Sequence, residues 1–183
     1  MGEDKGTGKS ALVKTLRVIS EMYAAGMFGR YAIGGAVGAA FYVEPAATLD
    51  VDVFVGIPEV SGKIIITPAV IYEYLRGRGY VPEGDAVRVE GWLVQFLPPP
   101  TPLVEEGIAC AKSFEVENVT TLVFTAEHLV AIALQTGRPK DSARILQFLE
   151  SAALDRRELK EILARHALSE RWSNFEKRFL SDP

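Results

Sequence analysis

Thiols are all but missing from this chain. Cys110 is the single cysteine among 183 residues, which excludes an internal disulfide and fits a reducing compartment. Set in the helical pattern IACAK, it is predicted to be a buried structural thiol rather than a nucleophile. Long apolar runs are missing too. None reaches the roughly 20 residues that cross a bilayer, and the polar opening MGEDKGTGKS lacks the apolar stretch that heads a signal peptide. No membrane partner is expected, and a cytoplasmic location is. Positive charge is not in excess: 20 Lys and Arg stand against 24 Asp and Glu, for a net charge of −4. The surface as a whole therefore does not advertise nucleic-acid binding, and any such contact is local. From Arg138 onward basic residues slightly outnumber acidic ones, which suits contact with a polyanion or, equally, a solvated helix surface of mixed charge. Histidine is scarce. His128 and His166 fall in different helical segments without metal-ligand spacing, so packing or surface roles are expected for both. There is no internal repeat and no low-complexity segment.

What is present is an ordinary globular composition, 48% hydrophobic and 24% charged, enough for one sizeable core with a modest appendage. The chain reads as an α/β core over 1–124 and a C-terminal helical region over 125–183. Its organising stretch is Tyr31 to Val55, YAIGGAVGAAFYVEPAATLDVDVFV: a strand, a Gly-Gly turn, a short helix and a second strand with two aspartates. Side chains alternate along a strand, so Asp50 and Asp52 project together while Leu49, Val51, Val53 and Val55 line the opposite face. Two carboxylates so close repel unless a proton or cation lies between them, and a hard divalent ion such as Mg²⁺ suits oxygen ligands. Gly34 and Gly35 let the backbone turn sharply and approach a ligand, and the N–H groups that follow can receive a phosphate. The alternative for the aspartate pair is the wet face of a half-buried strand.

Around this unit the periodicity predicts a helix from Ser10, as N-cap, to about Met27. The preceding GTGKS has Glu3 where a P-loop needs its first glycine, and no strand leads into it, so a mobile leader is expected, with Lys9 a nearby cation. A loop follows the second strand from Gly56 to Lys63, then a helix from Thr67-Pro68 to Gly77 or Gly79. Tyr80 to Asp85 reads as a turn. AVRVEGWLVQFLPPP gives two short strands around Glu90-Gly91, Thr101 to Lys112 a helix, and SFEVENVTTLVF a hairpin around Glu117-Asn118. Thr125 caps a helix ending at Gly137. Further helices run from Arg138 to about Ala153, from Arg156 to His166 behind Asp155, and from a Ser169 cap to near Leu180. Arg138 and Lys140 lie at a helix start, a place for phosphate or nucleic-acid backbone. Alternatively Arg138 pairs with an acid such as Glu127, leaving Lys140 and Asp141 solvated.

The order of strand, Gly34-Gly35, helix and Asp50-x-Asp52 resembles the signature of the nucleotidyltransferase superfamily of DNA polymerase β. AEHLVAIALQTGRPKDSARI, with GWLVQFLPP upstream, is similar to AbiEii-type and related stand-alone bacterial nucleotidyltransferases. The resemblance implies an α/β fold with a mixed sheet flanked by helices and a C-terminal helical bundle. It implies Mg²⁺ on Asp50 and Asp52 as metal-binding catalytic residues, an NTP with its phosphates at Gly34 and Gly35, and Arg138 and Lys140 as further contacts. The acceptors it brings are RNA, protein or a small molecule, and some relatives are toxins held by an antitoxin protein. Such proteins also carry a third carboxylate on a later strand, where this chain has Gln95; Glu90 is the nearest acid. Many relatives have a lysine in the helix before the GRPKD glycine, where this chain has Ala133. Both departures leave a catalytically silent nucleotide- or protein-binding member as the alternative.

Overall fold

Alternation in Asp50–Val55 and Trp92–Leu97 decides the centre of the molecule, because each strand puts one apolar row on the same side. The computed structural model describes residues 4–56 and 68–180. In chain order they form α1 (Asp4–Ala24), β1 (Tyr31–Ile33), α2 (Gly35–Ala39), β2 (Asp50–Val55) and α3 (Pro68–Gly77). There follow β3 (Val81–Glu83), β4 (Ala86–Val89), β5 (Trp92–Leu97), α4 (Pro102–Ala109), β6 (Lys112–Val116) and β7 (Val119–Val123). The chain continues with α5 (Ala126–Thr136), α6 (Pro139–Glu150), α7 (Arg156–Arg165) and α8 (Ser169–Phe179). The strands form one seven-stranded mixed sheet in the order β3-β4-β5-β2-β1-β7-β6. β2 runs antiparallel to β1 and parallel to β5, and β1 runs parallel to β7. Among the described residues no helix is long and apolar enough to cross a membrane.

One face of the sheet carries Val51, Val53, Val94 and Phe96, all buried against Leu16, Ile19 and Met22 of α1 and Ile71 and Leu75 of α3. Burial of each such side chain contributes about 1.5–3 kcal/mol. Leu16 is 1% exposed, so Leu16→Ala would cost about 2–5 kcal/mol. Thr15, inside α1, donates to Val89 O at 2.9 Å and pins the helix to β4. The other face receives α4 and α5 at its β1 end, with α6, α7 and α8 built onto them in a second apolar cluster. Arg30 ties α4 down by donating to Ile108 O (3.0 Å) and Ala111 O (2.7 Å).

Several sequence expectations need correcting. Helix α1 takes in the glycine-rich start from Asp4, so that segment is helix rather than leader and Ser10 lies inside it; the side chain of Lys9 lies outside the described residues. The loop expected after Gly56 also lies outside them. Val81–Glu83 is not a turn but an edge strand paired with β4. Its side chains are all exposed, and Pro82 is tolerated there because an edge leaves one set of N–H groups unpaired. Cys110 is exposed: it is the C-cap of α4, where the helix stops, and Lys112 already belongs to β6. Leu49 precedes β2 and is 67% exposed instead of supporting it. Ser169 is the first residue of α8, whose N-cap is Leu168. By contrast Thr125 and Asp155 cap α5 and α7 through side-chain hydrogen bonds, and α5 ends on a left-handed Gly137 with φ +70°.

Candidate functional site

The register of β2 against β5 sets the site. Asp50 lies beside Leu93 and Asp52 beside Gln95, and side chains paired across neighbouring strands share a face. Asp50, Asp52, Leu93 and Gln95 therefore line one wall of a cleft of about 420 Å³. Val51, Val53 and Val94 hold that wall from behind, each fully buried. The Gly-Gly turn forms the next side. Gly34 N donates to Asp52 O at 2.9 Å, so the turn is sewn to the aspartate strand. Gly35 follows with φ +59°, and a Cβ there would collide with Asp52 Oδ2 and stand 3.2 Å from Asp52 Cγ. Only glycine leaves room for that carboxylate. Helix α2 has five residues, too few for a large dipole; what it presents is the unpaired N–H groups of its first turn, with Gly35 and Ala36 on the cleft.

The opposite wall is the head of α6. Arg138, Lys140 and Arg144 all line the cleft. Asp141 is buried at 1% exposure rather than solvated. It accepts from Arg138 N (3.1 Å), Arg138 Nε (2.8 Å) and Arg138 Nη2 (3.2 Å). The partner of Arg138 is thus Asp141 and not Glu127, whose Oε1 accepts from Asp155 N at 2.8 Å and ties α5 to the start of α7. Arg144 lies 3.7 Å from Asp141 Oδ1. Lys140 is exposed.

Burial pushes the Asp52 carboxyl above its ordinary range; Asp50 adds to the rise, while Arg138, Lys140 and Arg144 pull against it. Neither aspartate side chain accepts a hydrogen bond among the described residues, and no three His, Cys, Asp or Glu side chains there converge as a metal cage. Two unpartnered carboxylates on one face, one pressed against a glycine, fit a hard cation that keeps several waters, as Mg²⁺ does.

A second, apolar cavity of about 230 Å³ opens beside the first and shares Gly35, Asp52, Gln95, Arg138 and Arg144 with it. Its walls are Phe54, Phe124, Leu97, Leu129, Ile132 and Ala133, with the two phenylalanine rings 5.3 Å apart.

All six residues singled out in the sequence, Gly34, Gly35, Asp50, Asp52, Arg138 and Lys140, therefore meet around these two cavities, and Gln95 stands with them. Glu90 does not. It occupies the β4–β5 turn with φ +50° and accepts from Tyr80 OH at 3.0 Å, away from the cleft. Sequence reasoning missed Arg144, although it is one turn past Lys140 on the same helix face, a spacing that could have found it. It also missed Glu83 and Asp85, which reach the cleft from the β3–β4 hairpin. Nothing local signals those two, since their position depends on strand pairing. His128 and His166 are brought together around Glu106, with Nε2 at 3.4 Å and 2.7 Å from its oxygens; the hydrogen bond of His166 clamps α4 to the end of α7, and His128 packs beside it from α5.

No protein-family model matches the sequence, and no curated protein does. Among solved structures the chain is similar to an antigenic nucleotidyltransferase-like protein from Paracoccidioides brasiliensis, with 15% identity, 92% of this chain and 93% of that chain covered, and a TM-score of 0.60. The fold is nucleotidyltransferase-like. That likeness bears on the sheet and its helices, and the chemistry rests on the side chains of this chain.

Proposed function

We propose that the protein is an Mg²⁺-dependent nucleotidyltransferase that moves an NMP from an NTP to an acceptor. The observation that carries this reading is the cleft itself: Asp50 and Asp52 on one wall face Arg138, Lys140 and Arg144 on the other, with the Gly34-Gly35 turn between them. Asp50 and Asp52 would hold the metal, which when bound offsets negative charge on the phosphates and orients them for in-line displacement. The N–H groups after Gly34 receive phosphate oxygens, and the cations of α6 offset the remaining charge. The apolar cavity, walled by Phe54, Leu129 and Ala133, receives the base by stacking and apolar contact. The acceptor is an RNA end, a protein side chain or a small molecule. An AbiEii-type role in the cytoplasm, as a toxin held by an antitoxin protein, is the family reading that the GRPKD stretch supports.

A second reading is favoured by Gln95. It stands beside Asp52, and an amide there is a poor general base and a poor metal ligand. On that reading the chain binds nucleotide or a protein without turnover. Calorimetric titration with each of the four NTPs, in Mg²⁺ and in EDTA, separates the two when followed by a pyrophosphate-release assay. Metal-dependent binding that is lost in Asp50→Asn and Asp52→Asn is expected. Because burial raises the folded-state pKa of Asp52, its ionised form costs stability above the unfolded value, and Asp52→Asn should hold or raise the melting temperature at pH 7. NTP binding that survives both substitutions would sink the proposed site, and binding without pyrophosphate release would favour the second reading.

A further inference from the structure

Arg138 and Arg144 both line the cleft but are not equivalent. Arg138 spends its guanidinium on Asp141 through Nε at 2.8 Å and Nη2 at 3.2 Å, while its backbone N–H takes the same carboxylate at 3.1 Å. This closes the first turn of α6, and its side chain is otherwise 53% exposed. Arg144 is the reverse case. Its side chain is 13% exposed, yet among the described residues its guanidinium donates no hydrogen bond, and its nearest acid, Asp141 Oδ1, lies at 3.7 Å and already accepts from Arg138. A guanidinium held this far inside yet open to the cleft leaves donors to be met by water or by a ligand there. Arg144 lines both cavities, as do Asp52 and Gln95 beside it.

We propose that Arg144, rather than Arg138, is the arginine that grips the phosphate chain of the ligand, with Lys140 as its exposed helper and Arg138 as a positioning residue that closes the α6 turn. The inference rests on the nucleotidyltransferase reading of the site and names the contact within it. Planar guanidinium matches phosphate oxygens two at a time, whereas a lysine supplies a point charge. A phosphate at the boundary of the two cavities would meet the fork of Arg144 from within the protein and leave the base free to enter the apolar side.

The test uses inorganic tripolyphosphate with Mg²⁺ as a probe of the phosphate subsite alone, beside an NTP, by calorimetry on the full chain. Loss of a hydrogen-bonded charge contact weakens binding about ten- to hundredfold, and that loss is expected for both probes in Arg144→Gln. Arg144→Lys should lose less than Arg144→Gln, since it keeps the charge but not the fork. Arg138→Gln should lower the melting temperature and weaken tripolyphosphate binding several-fold less than Arg144→Gln does. Arg144→Gln should keep its melting temperature, because Asp141 retains the three hydrogen bonds from Arg138. Undiminished tripolyphosphate affinity in Arg144→Gln, or an equal loss in Arg138→Gln, would overturn the assignment while leaving the site in place. If the unmodified chain binds neither probe, the nucleotidyltransferase reading fails and takes this inference with it.

Discussion

Gly35→Ala perturbs the turn without removing any charged group from the site, and its cost can be worked from two separate causes. The backbone at Gly35 has φ +59°, and a residue with a Cβ held in that left-handed region costs about 1–2 kcal/mol. The new methyl would also overlap the Asp52 carboxylate, forcing that side chain off its rotamer for about another 0.5–1.5 kcal/mol. Together these amount to about 1.5–3.5 kcal/mol, or about 3–14 °C in melting temperature for a chain of this size. Displacing Asp52 should also weaken Mg²⁺-dependent NTP binding about tenfold or more, the usual consequence of disturbing the support of a metal ligand. Gly34→Ala is the control: its φ of −116° is ordinary, and its Cβ would meet Phe54 Cε2 at 2.7 Å and Phe124 Cε2 at 3.2 Å, which perturbs the apolar cavity and not the carboxylates. Thermal unfolding followed by circular dichroism, together with calorimetry, reads both variants. A Gly35→Ala protein with unchanged melting temperature and unchanged NTP affinity would refute the reasoning.

Two other outcomes follow from the packing. Filling the apolar cavity with Ala133→Leu should weaken NTP binding about tenfold while leaving tripolyphosphate affinity alone, and equal affinity for NTP in both proteins would place the base elsewhere. Glu106 is held down to about 2 by hydrogen bonds from Arg165 and His166 against the opposing effect of burial. Its folded value lies below its ordinary one near 4.5, so its contribution is present above that value and is lost as pH falls from there toward 2. Burial likewise lowers His128, a contribution lost as pH falls below the ordinary histidine value. Glu106→Gln should therefore cost about 1–3 kcal/mol at pH 7 and flatten the acid limb of the stability profile, measured by urea unfolding from pH 3 to 8; an unchanged acid limb would contradict the clamp.

What the sequence disclosed was whatever depends on neighbours within a few residues. The alternation in Asp50–Val55 showed which side chains share a face, and Gly137 marked the end of α5 because a left-handed residue is needed there. Thr125 and Asp155 were readable as caps for the same reason. Side chains placed by distant pairing stayed hidden. Glu83 and Asp85 enter the cleft only because β3 and β4 extend the sheet past β5, and Phe124 meets Phe54 only because β7 and β2 flank β1. Cys110 was misjudged by one helical turn: the apolar pattern continued, but α4 stopped at Ala109 and the thiol fell on the surface. The register that sets Gln95 beside Asp52 was anticipated from the family pattern and could not have come from Val94-Gln95-Phe96 alone.

The charges of the cleft are arranged against its own stability. Acids on β2 and cations on α6 face one another across about 420 Å³, near enough for Arg138, Lys140 and Arg144 to pull on the titration of Asp52. Yet among the described residues no salt bridge crosses the gap; the arginines look to Asp141 on their own helix. A fold selected only to persist would close such a space, pair the charges, or replace them with packed apolar groups, which is often the more stable choice. Here β2 is stiffened by Val51 and Val53 behind it, and α6 is anchored by Ile145 and Phe148, 2% and 0% exposed, so neither wall is free to approach the other. Walls of opposite sign held apart by two rigid supports suit a ligand that is itself divided, positive toward the aspartates and negative toward the arginines. A metal-bound phosphate chain has that division, and a neutral or purely cationic ligand does not.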